Sequence, residues 1–217
     1  SQAGNGEAGG AVALVGESVS VSAAQIDASG DRGGSIRVGG DIKGEGTLLT
    51  AENTVVDNRS TLLAEGTDGD GGDIVVWADE TATIAGQISA QGTTEGGFVE
   101  TSAKHLDISN VEVDISGEEA GGNWLIDPVD FEVVVSGAGA NQINASMIES
   151  TIDSGGNVSI STSGMGVEQG DIQLQASINQ TNTASSGSLS FEGRRFEDNG
   201  HEINMASSGQ LTFDINA

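Results

Sequence analysis

Apolar residues recur at every second position along much of the chain, as in Val19/Val21, Ile36/Val38, Ile74/Val76, Ile88/Ala90 and Ile172/Leu174. Period two with β-branched residues predicts strands that bury one face. The runs last about four to six residues before Gly, Asn, Asp or Ser punctuates them, and no long helical pattern intervenes, which argues against βαβ units. One segment differs. Ser146 and Glu149 have capping-box spacing, Ile148 and Ile152 stand four apart, and Gly155-Gly156 supplies a stop, so a short helix is expected from Ser146 to Asp153.

The punctuation repeats. Paired glycines open a strand-like run at Gly33-Gly34, Gly71-Gly72, Gly96-Gly97 and Gly121-Gly122, and the last three pairs follow one another at intervals of 25 residues. Ahead of the pairs stand matching strand ends, Ile26 to Gly30, Leu62 to Gly66, Ile88 to Gly92 and Val113 to Gly117. A fixed period of this size marks a repeat architecture. The expected fold is all-β: a right-handed parallel β-helix (β-solenoid) with one short helix, each coil of about 20 to 25 residues stacking short strands on its neighbours. An antiparallel sandwich is the rival, but its hairpins rarely keep one turn signature at one offset. Trp124 to Pro128 marks a boundary, giving coils of about 25 residues over 1–127, an irregular segment with the helix over 128–156, and further coils over 157–217.

Composition sharpens this picture. Only 3% of residues are aromatic, which suits a narrow core, and 7 Lys+Arg against 33 Asp+Glu leave a net charge of −26. Such a charge disfavours nucleic acid and anionic membrane surfaces as direct partners and leaves cations, neutral sugars and basic proteins. With no Cys there is neither a disulfide framework nor a thiolate nucleophile. No apolar stretch approaches the roughly 18 residues of a membrane span, so direct membrane insertion is not expected. The first ten residues lack the pattern of a signal peptide, and the expectation is a mature product or an excised segment of something longer.

Candidate chemistry is sparse. Asp68, Asp70 and Asp73 put three carboxylates on one turn, a density that calcium favours, although the later bidentate Glu of a calcium loop is missing and a solvated acidic turn is the better reading. His105 and His201 stand alone. Asp79 and Asp107 could approach across neighbouring coils as a glycosidase acid pair, which needs two acids facing a cleft. Trp77 and Trp124 could stack on sugars or be buried. Asn58, Asn144, Asn157 and Asn179 head Asn-x-Ser/Thr triplets, glycosylation acceptors where a partner enzyme exists. Arg194-Arg195, the only basic doublet, could meet an acidic patch on another copy.

Four runs carry a resemblance: Gly69-Asp70-Gly71-Gly72-Asp73-Ile74-Val75-Val76-Trp77-Ala78-Asp79-Glu80-Thr81, Gly86 to Ala90, Gly96-Gly97-Phe98-Val99-Glu100-Thr101-Ser102, and Trp124-Leu125-Ile126-Asp127-Pro128. The chain resembles the filamentous haemagglutinin-like exoproteins of two-partner secretion, especially the high-molecular-weight adhesin branch, and the segment from Ile148 to Ile160 matches the helix, turn and strand that follow there. Together these cover most of the chain from about Gly33. Ala103 departs from the Gly usual after the Glu-Thr-Ser run, and the Asn-Pro-Asn-type motif of the secretion domain is absent. The resemblance implies a structural, adhesive shaft, not an enzyme, exported through an outer-membrane two-partner transporter to the surface or surroundings of a Gram-negative bacterium or cyanobacterium. It implies contact with host or neighbouring-cell surfaces, including glycans, and a role in fibres or biofilm matrix, with end-to-end self-association as a further expectation. A carbohydrate-active β-helix enzyme and a calcium-dependent binding module are the competing classes.

Overall fold

The alternation predicted from the sequence becomes strands that stack in parallel. The structure is a computed structural model that describes residues 7–162 and 170–215; the expectations that touch residues 1–6, 163–169 and 216–217 lie outside the described residues. A long sheet contains eight strands in chain order, Ala11–Leu14, Ser35–Val38, Asp73–Trp77, Phe98–Ser102, Asn123–Asp127, Asn157–Ser161, Ser188–Gly193 and Gln210–Ile215. A second eight-stranded sheet begins at Ser18–Val21 and ends at Arg195–Glu197. A third, four-stranded sheet joins Gln25–Asp27, Thr61–Leu63, Gln87–Ser89 and Glu112–Asp114. The chain visits the three sheets in turn and then pairs with its own previous circuit.

Register is strict. Asp73 pairs with Phe98 and Phe98 with Asn123, the 25-residue step of the glycine pairs. Two columns of side chains point inward from the long sheet: Ile36, Ile74, Val99, Trp124, Val158, Leu189, and beside them Val38, Val76, Thr101, Ile126, Ile160, Phe191, all buried. Thr101 is the polar member of its column, and its hydroxyl accepts the Trp124 indole N–H at 3.1 Å.

The glycine pairs close each circuit. The N–H groups of Gly34, Gly72, Gly97 and Gly122 donate to the carbonyls of Ala28, Ala64, Ala90 and Ile115, just past the third-sheet strands, at 2.7 to 2.9 Å. Successive pairs stack so closely that a Cβ on Gly97 would lie 2.0 Å from the Gly72 carbonyl oxygen. No side chain fits there. The glycines that end the third-sheet motif, Gly30, Gly66, Gly92 and Gly117, form a second bridged column.

The 25-residue step is not kept throughout, since Val158 pairs with Leu189 and Leu189 with Leu211, and two long insertions precede these circuits. Residues 39–51 lengthen one circuit so that Ser35 pairs with Asp73, and residues 128–156 lengthen another so that Asn123 pairs with Asn157. The segment expected to be irregular apart from its helix contributes two strands, Phe131–Val134 and Gln142–Asn144, which pair with each other in the second sheet. Asn141 (φ 57°) extends this ladder with its side chain: its Nδ2 donates to the Lys104 carbonyl at 3.0 Å and its Oδ1 accepts the Leu106 N–H at 2.7 Å.

The helix spans Ala145–Asp153 and takes the place of a third-sheet strand, burying Ile148 and Ile152. Beyond it that face resumes with Ile178–Asn179 and Ile203–Asn204. The capping box is not used. Asn144 is the N-cap because it ends a paired strand, its Oδ1 accepts the Ala138 N–H instead of capping, and Ser146 lies exposed in the first turn. Among the described residues no helix is long and apolar enough to cross a membrane.

Gly97→Ala is expected to lower unfolding stability in urea by about 2 kcal/mol or more, as overpacking of a closed site does. Val135→Ser, at a residue 72% exposed, should stay within about 0.5 kcal/mol of the parent. A silent Gly97→Ala would show that the glycine column is not required for stacking.

Candidate functional site

The acidic turn does not gather its carboxylates. Asp70 Oδ1 accepts from the Thr94 hydroxyl and, at 3.4 Å, from the Glu95 N–H of the next circuit, and these bonds hold its pKa below the ordinary carboxylate value. Asp73 sits on the long sheet, 3.9 Å from the Arg37 guanidinium, and Asp68 is exposed. Among the described residues no group of three or more His, Asp or Glu converges as a metal site. Asp79 and Asp107 are likewise apart in register: Asp107 pairs with Thr83, and both Asp79 oxygens are engaged, by the Trp77 indole N–H at 2.9 Å and the Thr50 hydroxyl at 2.8 Å.

Both tryptophans are buried, Trp124 in the inner column and Trp77 beneath the 39–51 insertion. The basic doublet turns inward on its own chain. Arg194 and Arg195 both clamp Asp171, at 2.9 and 2.8 Å, and Arg195 also reaches Glu197 at 3.1 Å, so both arginines hold an acid of the preceding circuit. Partial burial opposes ionisation of Asp171, and the two guanidiniums outweigh it.

No protein-family model and no curated protein matches the chain. Of the glycosylation triplets, Asn58 and Asn179 are exposed, Asn144 stands at the N-cap position with its side chain bonded to the Ala138 N–H, and Asn157 is tied between circuits by bonds to Gly121, Gly122 and Ser188. His105 is exposed on its strand and His201 lies in a turn.

The most elaborate cluster was not singled out from the sequence. The 39–51 insertion folds as a strap over the outer face of the long sheet. Arg37 bonds Asp41 at 3.0 Å, Asp41 Oδ1 accepts the Ile42 N–H at 2.9 Å, and a 3-10 turn at Ile42–Gly44 follows. Lys43, at φ 55°, aims its N–H at both oxygens of Glu100, at 3.0 and 3.2 Å, and the Ser102 hydroxyl donates to Oε1 at 2.9 Å. Gly44 lies flat on Trp77, where a Cβ would come within 2.4 Å of the ring. Glu100 stands in register between Val75 and Leu125 and is fully buried. The available signal was the 13-residue excess over the repeat, rich in glycine at 39, 40, 44 and 46.

Burial raises the pKa of Glu100, while Ser102, the Lys43 N–H and the charges of Lys43 and Arg37 oppose the rise. An acid whose folded pKa lies above its unfolded value contributes stability below the unfolded pKa and loses it as pH climbs through the folded one. Asp57 has the opposite sign. Bonds from the Ser22 hydroxyl, the Ala23 N–H and the Ser60 hydroxyl hold it far below the usual carboxylate range, so its contribution is present above the unfolded pKa and fades as pH falls through the folded one. Glu100→Gln is therefore expected to gain stability relative to the parent as pH rises from about 4 to about 7, read from urea midpoints across that range. A gap that moves the other way would mean that burial does not govern the Glu100 proton.

Proposed function

We propose that the chain is a right-handed parallel β-helix forming a structural and adhesive shaft segment of a secreted or surface-displayed exoprotein of the filamentous haemagglutinin-like kind. The carrying observation is the in-register stack: each circuit offers the next the same ladder, glycine column and inner columns, so length is added along one axis without a new fold. The right hand follows from the strong preference of parallel crossovers. Three of the runs that carry the resemblance, at Asp73–Trp77, Phe98–Ser102 and Asn123–Asp127, are successive rungs of one sheet. On the last described strand Leu211 and Phe213 are 37% and 45% exposed above the core, a surface on which another circuit or another copy can stack. Export through an outer-membrane partner and contact with neighbouring cells complete the proposal.

The export step is tested in cells. Fused behind the secretion domain of a two-partner exoprotein, the chain should reach the medium only when the matching outer-membrane transporter is expressed, and release without the transporter would sink the route. The shaft's charge gives a second test. Repulsion among the −26 charges reaches about 30 Å at low ionic strength and about 8 Å at physiological salt. Melting temperature and particle size should both rise with NaCl, and CaCl₂ at matched ionic strength should trace the same curve. A saturable, stoichiometric step with Ca²⁺ alone would replace diffuse screening with a discrete site, with Asp68, Asp70 and Asp73 the first residues to mutate.

A further inference from the structure

Beyond the strap, the outer face of the long sheet forms a shallow trough of about 240 Å³, and none of the nine residues that line it is charged. On a protein of net charge −26 this strip stands apart. Its floor is two rows laid down by register. One row carries Phe98, Asn123 and Asn157, and the other carries Leu125, Ser159 and Ser190. Phe98 is half-buried and supplies an apolar ring flank beside Leu125, while the Asn123 amide is exposed.

The polar groups divide by whether they have partners. The Asn157 side chain is committed to Gly121, Gly122 and Ser188. The side chains of Asn123, Ser159 and Ser190 make no hydrogen bond among the described residues, which leaves amide and hydroxyl groups able to donate and accept beside the apolar flank. Strands repeat at about 4.8 Å, so four of them make a trough roughly 14 Å long that runs along the stack. Acids border it: Asp73 adjoins Phe98 in its row, and Glu192 lies next to Ser161 in the row beyond Ser159 and Ser190.

We infer that this trough binds an uncharged, hydroxyl-rich chain, a neutral hexose oligosaccharide lying along the stack. An apolar flank with amide and hydroxyl groups suits the two faces of a pyranose: C–H groups against Phe98 and Leu125, hydroxyls to Asn123, Ser159 and Ser190. The bordering acids and the overall charge turn away uronic and sialic acids, phosphates and sulfates. A second copy of this chain would bring another −26 charges to the same border. The inference names a ligand class for the adhesive proposal and rests on it for its biological setting, whereas binding to the purified chain requires neither export nor fibre.

The test is titration calorimetry of the purified protein with cellohexaose, maltohexaose and mannohexaose, and with hexagalacturonate as the charged counterpart. At least one neutral hexaose should saturate with Kd at or below about 1 mM, and hexagalacturonate should bind at least tenfold more weakly. Phe98→Ala should weaken the neutral ligand tenfold or more. Ser159→Arg, which fills the trough from a partly exposed position, should do the same with an unchanged melting temperature, and Val135→Ser, in the bend just after the Phe131–Val134 strand, should bind as the parent does. The inference falls if no neutral hexaose saturates, if hexagalacturonate binds as tightly, or if both trough variants bind like the parent. If Ser159→Arg dissolves an oligomer while no sugar binds, the face belongs to a second copy and the inference is overturned. Loss of transporter-dependent release with sugar binding intact would instead strike at the export route alone.

Discussion

Everything in this molecule hangs on the contact between glycine pairs of successive circuits. The second glycine of each pair donates its N–H back across the turn, and its Cα lies against the carbonyl oxygen of the pair below. That approach fixes the height of a circuit at one strand spacing of about 4.8 Å and aligns the strands that follow. Because side chains alternate between faces, a one-residue slip would turn every inner column outward. The glycine column removes that freedom at the entrance to the long sheet.

Once the circuits are aligned, a narrow core suffices. Two inner columns from the long sheet meet Val56, Ile84, Leu106 and Val133 of the second sheet and Leu62 and Ile88 of the third. Such a core has little room for aromatics, and where Trp124 enters it the neighbouring position is Thr101, whose hydroxyl satisfies the indole. The acids do not simply decorate the outside. Asp57, Asp70, Asp153 and Asp171 each accept hydrogen bonds from a segment remote in sequence, which turns much of the negative charge into stitching between stacked or neighbouring segments. The remote donors to Asp57, Asp70 and Asp153 are neutral hydroxyls and those to Asp171 are guanidinium groups, and bonds to a charged acceptor are stronger than neutral pairs.

The fold was legible in the sequence wherever the repeat was strict. The Gly71, Gly96 and Gly121 pairs and the motifs ending at Gly66, Gly92 and Gly117 mark the long-sheet entrances and third-sheet exits that the structure contains. Legibility failed where one residue acted through another part of the chain. Ser146 and Glu149 spell a capping box, yet Asn144 is already committed to a strand and sets the helix start one residue earlier. Phe131 to Val134 and Gln142 to Asn144 were hidden because their parallel pairing is with each other across a short loop, outside the 25-residue period. The strap was hidden because Glu100 looks like one more exposed acid until Lys43, 57 positions earlier in the chain, folds over it.

The two insertions have one physical origin. A circuit of minimal length follows the cross-section of the stack and leaves the outer face of each sheet bare, so any residues beyond that length must leave the layer. At 39–51 they leave outward, over Trp77 and Glu100, and an acid that would be solvated becomes a buried acceptor under one backbone N–H shared by its two oxygens and a hydroxyl. At 128–156 they first widen the second sheet by a strand and then cross the third face as a helix. In both places the long sheet continues without a break, because its inner-column contacts do not involve the added residues and Gly155-Gly156, at the end of the second insertion, stacks on Gly121 as the next glycine pair. Variation in circuit length therefore changes the surface while the ladder stays fixed, and the part of the long sheet that the strap leaves uncovered is the stretch where Phe98, Asn123 and Ser159 face outward with no charge among them.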